Sequence, residues 1–600
     1  MSPQETNELY VFRRILVLGA VVFALGTALM GRLWYVQTVQ VHSLSGAAAE
    51  QSVRRIRLSP TRGRIFDREG NLLVANRPSY DIVFHPSMMR QPGARQNTID
   101  YALEKAREIG EVIGRRVDLA ASEIDRHLRV RPPVPLPVFE TLTKRELVLA
   151  SEHLPAVRGV EIRVNYVRSY PYPETATHVL GFTGRRRPPD EFRNRKFSYV
   201  MPEPRGRAGI ELVYDDELAG RAGMQMVRVD PSGYVYEQIG RVQEPNDGYD
   251  LILTLDVRAQ QIAERLLEGK RGAFVVVDVR DGAVLAMASS PTYDLKTLNA
   301  ASYGKLAKDE EGRPLVNRAV KGGYLPGSIV KPLIGLAALE SGAVDPEAEV
   351  FCSGRYPIGN TSIGCWLRSG HGRVDMIEGI EQSCNSYFID IGLKTGLDNI
   401  RPMFLKAGLG RAPELDLRGV GSGLVPSRSW ALSHLGRNWI AIDTAFLSIG
   451  QGTVGVSPLQ AALYAAAIGN GGTVYRPFLV RRFVDADGQV RKQTAPRPAR
   501  NLAVREAHLE IIQEGMKRVV NGVNGSAKRA RTPVIMLAGK TGTAEVKTPG
   551  DEHNNTWFIG YGPVENPRYA VCVLVEYGAS GGRTAAPMAG EFFERWLGAQ

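Results

Sequence analysis

The stretch that most limits what this chain can become lies near its start. From Ile15 to Gly31 there is no charged residue, and Leu33-Trp34-Tyr35-Val36 continues the run past Arg32. That is about the 20 apolar residues a membrane-spanning helix needs. One span over 15–37 leaves a short tail, 1–14, on one side and the remainder of the chain on the other. Arg13 and Arg14 flank its N-terminal end, which favours a cytoplasmic N-terminus, while Trp34 and Tyr35 suit the far interface. Arg54, Arg55 and Arg57 oppose that orientation, but they stand well beyond Gly31, in a long exported domain where the rule fades. A cleaved signal peptide is the alternative, because Ala47-Ala48-Ala49 resembles a cleavage site, although it lies far from the apolar run.

Beyond the span the composition is globular, 44% hydrophobic and 23% charged over 600 residues, which is long enough for two or three domains. The net charge of +12 raises nucleic acid as a partner. The basic residues are spread rather than striped and no nucleic-acid-binding motif occurs, so none is expected, and an anionic envelope or lipid headgroups fit the charge as well. Residues 38–245 have low contrast. Arg62 to Gly70 with Leu72-Leu73-Val74-Ala75 reads as strand, turn, strand. Arg207-Ala208-Gly209-Ile210-Glu211, with Tyr214 and Leu218-Ala219-Gly220, is a second marked stretch. Both read as structural, with glycines for turns and Asp67, Glu211 and the arginines for pairing. The run from Arg185 to Lys196 reads as a solvated loop. Near Asn246-Asp247-Gly248 the texture changes. A strand at 250–256, a helix from Ala259 to Leu267, a hairpin around Asp281-Gly282, closing strands at 557–561 and 569–577 and a helix from Ala586 to Leu597 predict a mixed helix-and-sheet domain over 246–600.

Inside that domain Gly322-Gly323-Tyr324-Leu325-Pro326-Gly327 is rich in breakers, and from Ser328 the apolar residues recur at helical spacing. This predicts Ser328 in the first turn of a buried helix, with Lys331 one turn on along the same face. A serine hydroxyl becomes a nucleophile when a base takes its proton, and an amine three residues along is within reach if it stays neutral. The helix N-terminus adds N–H groups where negative charge develops in acyl transfer. Alone this Ser-x-x-Lys carries little, because a capping serine beside a solvated lysine has the same spacing. Two further stretches change that. Ser383-Cys384-Asn385 follows, and further on comes Lys540-Thr541-Gly542-Thr543. The ordered set S-x-x-K, S-x-N, K-T-G resembles that of penicillin-binding proteins and serine β-lactamases. Together with the stretches around 62–75 and 207–220, the chain resembles the class B penicillin-binding proteins, and among them the elongation type.

The resemblance implies a mixed α/β multidomain chain: an N-terminal transmembrane helix, an elongated β-rich pedestal of the dimerisation type over 38–245, and a penicillin-recognising serine transpeptidase domain over 246–600. It implies peptidoglycan stem peptides ending in D-alanyl-D-alanine, and β-lactams, as the molecules attacked by Ser328. Lys331 would be the base, kept neutral by burial and by the charge of Lys540. Ser383 would relay a proton and Asn385 hold the substrate amide. Lys540 and Thr543 would hold the terminal carboxylate, with Thr541 on the same strand, and Gly542 would let the substrate backbone approach. The backbone N–H groups of Ser328 and Thr543 would form the oxyanion hole. Ser383 and Asn385 have an alternative role as turn caps. Gly450-Gln451-Gly452 reads as scaffold. The resemblance also implies a bacterial inner membrane with the catalytic domain periplasmic, and a SEDS-family glycosyltransferase with other elongation-complex proteins as partners. A division-type enzyme, a β-lactam sensor or β-lactamase, and a silent regulator are the other readings. No glycosyltransferase motif occurs in the pedestal, which argues against the bifunctional class A enzymes.

The four cysteines are Cys352, Cys365, Cys384 and Cys572, and the first three cluster with His371 in the stretch 352–384. Three thiolates and an imidazole fill a closed tetrahedral structural zinc site. The spacing lacks a CxxC knuckle, an exported chain can instead join two of these residues in a disulfide, and free thiols are the third possibility. The expectation is a structural zinc on Cys352, Cys365, His371 and Cys384, with the disulfide as its rival.

Overall fold

The computed structural model describes residues 3–40, 52–130, 133–154, 157–185, 198–200, 204–230, 234–548 and 551–598. Ala47-Ala48-Ala49 and the run that follows Arg185 as far as Lys196 lie outside them. Helix α1 (Pro3–Thr38) is continuous. Its portion Val11–Thr38, 28 residues with a mean hydropathy of 2.0, is long and apolar enough to cross a membrane and packs against no other part of the described protein. A helix apolar on all sides and left uncovered suits lipid rather than water. The predicted span, 15–37, falls inside it.

Two sheets organise the segment that follows. Val53–Leu58 lies between Ser198–Val200 and Gly223–Val229, with Val235–Gln243 at the outer edge. In the second sheet the long strand Leu72–Phe84 pairs antiparallel with Val160–Ser169, from Ala75↔Ser169 to Phe84↔Val160. Besides Leu136–Phe139 its further neighbour is Ile65–Phe66, which runs parallel to Asp250–Leu253, itself paired with Val480–Val484. One sheet is therefore continuous from the pedestal into the catalytic half. The pedestal is not purely β: Arg95–Ile113, Ala121–Val130 and Lys144–His153 close a small core of their own around Ile82, Phe84, Ile99, Ile109 and Leu128.

Where the two halves meet, Arg62 donates to Glu211 and to Asp215, each at 2.7 Å, and Arg168 donates to the other Glu211 oxygen at 2.7 Å. Glu211 is fully buried. Asp67 accepts from the N–H groups of Glu69 and Asn71 and, at 3.1 Å, from that of Val257, the first residue of the helix Val257–Leu266. Glu211 pairs with arginines as predicted, inside the pedestal; Asp67 meets no arginine and instead accepts backbone N–H groups, and its bond from Val257, with the pair Arg64–Asp250, crosses to the catalytic half.

The catalytic half is built on a five-stranded antiparallel sheet of β1 (Gly272–Asp278), β2 (Val284–Ser290), β3 (Ala538–Thr548), β4 (Asp551–Gly562) and β5 (Tyr569–Glu576), in the order β2-β1-β5-β4-β3. Every residue of β1 and β5 is buried, which explains their unbroken apolar runs. The helices that matter for the site are α2 (Lys331–Glu340), α3 (Asn385–Thr395), α4 (Pro458–Gly469), α5 (Glu506–Asn521) and α6 (Ala586–Leu597). Phe592 of α6 packs on Phe274 of β1 with ring centroids 4.8 Å apart. Helix α4 starts at a capping box made by Ser457 and Gln460 and is buried throughout. Strand β3 is an edge of the sheet, with one side free of strand partners among the described residues.

Candidate active site

Ser328 does not lie inside the α-helix as expected. It occupies a 3₁₀ turn, Gly327–Val330, and α2 begins at Lys331. Residues i and i+3 of a 3₁₀ turn eclipse, so the tighter turn still directs Ser328 and Lys331 to one side of the chain. The cause is the crowding of the turn. Gly327 has φ +57°, and a Cβ there would stand 2.6 Å from the Thr543 carbonyl oxygen. From the other side a Cβ on Gly450 would stand 1.9 Å from the Gly327 oxygen, and the Gly327 N–H donates to Gly450 O at 2.9 Å. Trp557 Nε1 donates to Leu325 O at 3.0 Å, and the Tyr464 hydroxyl donates to Ile329 O. The turn is thus gripped by β3, β4, α4 and the Gly450 loop, while Ser328 itself stays half-exposed. Gly450, read from sequence as scaffold, is a direct neighbour of this turn. Only its glycine-rich context signalled that.

Lys331 is fully buried, and its Nζ donates to Ser383 O and Asn385 Oδ1, each at 2.8 Å, with Ser383 Oγ at 3.3 Å. Lys540, also fully buried, reaches Ser383 Oγ at 2.8 Å and Thr541 O at 3.1 Å. None of these partners is a carboxylate. Burial brings the Lys331 ammonium down to about 8, against the pull of the thiols of Cys384, Cys365 and Cys352. Burial and then Lys331 push Lys540 well below the usual lysine range. A neutral amine keeps two N–H donors, which Ser383 O and Asn385 Oδ1 absorb at Lys331, leaving its lone pair for a proton. Ser383 Oγ sits between the two amines. Its backbone has φ +56°, a region that non-glycine residues enter only when their surroundings hold them there. The turn-cap alternative fails on geometry: the cap of α3 is Cys384, whose Sγ accepts from Tyr387 N, while Ser383 faces the lysines and Asn385 spans Lys331 and Gly364 O.

On β3, Lys540 and Gly542 share one face, and Thr541 and Thr543 the other. Gly542 makes room for something other than expected. A Cβ there would stand 2.7 Å from Pro326 O and 2.9 Å from Ile329 Cγ2, so the space is filled by the Ser328 turn. Thr543 Oγ1 accepts from the Gly581 N–H at 3.1 Å. The free edge of β3 offers an extended peptide a place to pair as an added strand.

The sulfurs of Cys352, Cys365 and Cys384 and a ring nitrogen of His371 lie within 4.8 Å of one another. Pairing of Val350–Cys352 with Gly372–Val374 sets Cys352 opposite Gly372, beside His371. His371 Nδ1 is 3.6 Å from Cys352 Sγ and 3.5 Å from Cys365 Sγ. A tetrahedral zinc with bonds of about 2.3 Å to sulfur and about 2.0–2.1 Å to nitrogen separates such atoms by about 3.6 Å, so the residues fit the metal. Cys352 Sγ lies 3.3 Å from Ser386 Oγ, and Cys365 Sγ accepts from Asn385 N at 3.3 Å. The hydrogen bond from Cys384 brings the Cys365 thiol down to about 2, and the same contact raises Cys384. No disulfide joins these cysteines among the described residues, and Cys572 stands apart in β5.

The family profile described as "Penicillin binding protein transpeptidase domain" matches residues 272–594, and "Penicillin-binding Protein dimerisation domain" matches 57–253. The chain belongs to the penicillin-binding proteins. Among curated members it is 30% identical to "Peptidoglycan D,D-transpeptidase MrdA" of Acinetobacter baumannii, over 99% of this chain and 88% of that protein. It is also 30% identical to the protein of that name from Escherichia coli K12, over 95% and 92%. The fold matches penicillin-binding protein PBP2 of Helicobacter pylori, solved in complex with MreC, at a TM-score of 0.75 and 26% identity over 91% of this chain and 100% of that one. It likewise matches a chain of a peptidoglycan synthase complex at a TM-score of 0.71 and 26% identity, over 98% and 99%.

Proposed function

We propose that Ser328 is the acylated residue of this penicillin-binding protein, with Lys331 as its base. The enzyme is a serine-type peptidoglycan D,D-transpeptidase of the elongation type. The observation that carries the residue assignment is the pair of buried lysines meeting at Ser383 with no acidic partner, since a lysine must be deprived of a counter-ion to serve as a base. Ser328 Oγ attacks the penultimate D-alanine carbonyl as its proton passes to Lys331. The oxyanion forms against the N–H groups of Ser328 and Thr543. Collapse expels the terminal D-alanine, whose amine takes a proton through Ser383 from the lysine pair. The acyl group then passes from Ser328 to an amine of a neighbouring stem peptide. Asn385 holds the donor amide, while Lys540, Thr541 and Thr543 hold its carboxylate along β3. β-Lactams enter by the same attack and remain bound.

Helix α1 anchors the chain, with Arg13 and Arg14 keeping the N-terminus cytoplasmic and the catalytic half periplasmic. A SEDS-family glycosyltransferase meets the anchor and pedestal, a reading supported by the likeness to a chain of a synthase complex. Cys352, Cys365, His371 and Cys384 would hold a zinc ion. With its four ligands filled, it would supply no reacting water, only a fixed link between the loop carrying Cys365 and the start of α3. The test of the assignment is covalent labelling with a fluorescent penicillin. The label appears on the wild-type protein and vanishes in folded Ser328→Ala; undiminished labelling of that variant places the nucleophile elsewhere.

A further inference from the structure

Between α5 and β3 runs a loop, 522–530, that belongs to none of the three motifs. Asn524 N–H donates to Glu381 Oε1 at 2.9 Å, and Ser526 N–H to Glu381 O at 3.3 Å. Glu381 is buried at 6% exposure and stands two residues before Ser383. Gly522 packs against the same carboxylate, where a Cβ would come within 2.3 Å of Oε1. From that support Ser526 Oγ reaches Thr541 Oγ1 at 3.0 Å. The loop thus ties the wall that carries Ser383 to the strand that carries Lys540.

A hydroxyl has one proton and two acceptor lone pairs. When Ser526 donates to Thr541, the Thr541 proton is released toward a ligand, and the accepted bond polarises it into a better donor. Thr543, on the same face, has its oxygen engaged by Gly581 N–H, which leaves its proton equally free. Two hydroxyl protons on one face of a free strand edge, on either side of Gly542 and next along the strand from the buried Lys540, are a receptor for a carboxylate. We propose that Ser526 is a positioning residue for the donor's terminal carboxylate, orienting the Thr541 hydroxyl from a loop that Glu381 holds in register with Ser383. This rests on the transpeptidase reading of the site, and it adds a residue that acts through Thr541 rather than on the reacting carbonyl.

The test uses the full chain and two acyl-D-alanyl thioesters that differ only in ending with a carboxylate or a carboxamide. Ser526→Ala lowers kcat/KM for the carboxylate substrate about tenfold, the size of one lost hydrogen bond to a charged group, and the loss falls in KM. Turnover of the carboxamide is unchanged, and Ser526→Thr restores the preference. Equal losses on both substrates, an unaltered preference in Ser526→Ala, or no restoration by a folded Ser526→Thr overturns the proposal. Penicillin labelling of Ser328→Ala is measured alongside. Retained label there overturns the reading of the site, whereas label that depends on Ser328 with a preference insensitive to Ser526 overturns only the role of Ser526.

Discussion

The buried charges at the base of the pedestal and those around Ser383 are built on opposite rules. At the pedestal junction every buried cation faces an anion: Arg62 and Arg168 share Glu211, and Arg62 also holds Asp215. Burial alone would lower the Arg62 guanidinium, but Glu211 and Asp215 outweigh it and raise it. Around Ser383, Lys331 and Lys540 are as deeply buried, yet their hydrogen-bond partners are hydroxyl, amide and carbonyl oxygens. No carboxylate there offsets desolvation, the pull of the three cysteines on Lys331 is the weaker effect, and both amines are driven toward the neutral form. The first cluster holds segments of the pedestal to one another. On the proposed function the second holds a base ready at the cost of stability, as active sites that perturb ionisation commonly do.

The contrast can be broken by substitution. Lys331→Met keeps the length and removes the amine; acylation by penicillin falls by about 10²–10⁴, while the thermal midpoint holds or rises, because an unpaired buried amine is lost. A fall in both would mean that Lys331 is structural after all. A smaller effect follows Cys384→Ser. Protein purified without added metal carries about one zinc per chain by elemental analysis, and this variant loses it together with thermal stability, with acylation lower by on the order of tenfold. Cys572→Ser keeps the zinc. Absence of metal, with a Cys352–Cys365 disulfide found by mass spectrometry, favours the oxidised alternative. The smallest effect on chemistry belongs to Glu211→Gln. It leaves the buried Arg168 guanidinium without an anion, Arg62 keeping Asp215, and costs about 3–5 kcal/mol in denaturant unfolding, yet acylation per folded molecule stays at the wild-type rate.

What could be read in advance was local. The Asp281-Gly282 hairpin, the helix from Ala586 to Leu597 and the apolar strands near 570 follow from turn chemistry and periodicity, and they stand where expected. The three motifs announced Ser328, Lys331, Ser383, Asn385 and Lys540 because each is a short string of unusual chemistry, and the fold gathers them into one cleft. What escaped was pairwise and distant. The closeness of Gly450 to Gly327, the reach of Ser526 to Thr541 and the filling of the Gly542 notch by Ile329 join segments far apart in the chain, and no periodicity encodes them. The 3₁₀ geometry at Ser328 escaped for the same reason, being imposed by Thr543 and Gly450 rather than by the propensities of the turn itself.

The most direct test of the uncompensated-lysine account is the pH dependence of the second-order rate of acylation by a penicillin. Protonated Lys331 cannot accept the Ser328 proton, so the rate depends on the neutral fraction, which grows as pH rises through the folded-state value. The account predicts a rate that climbs from neutral pH and levels off above about 8, with the climb absent from the residual activity of Lys331→Met. A wild-type rate that is flat from neutral pH to about 10, the range over which an ordinary lysine remains charged, would contradict it.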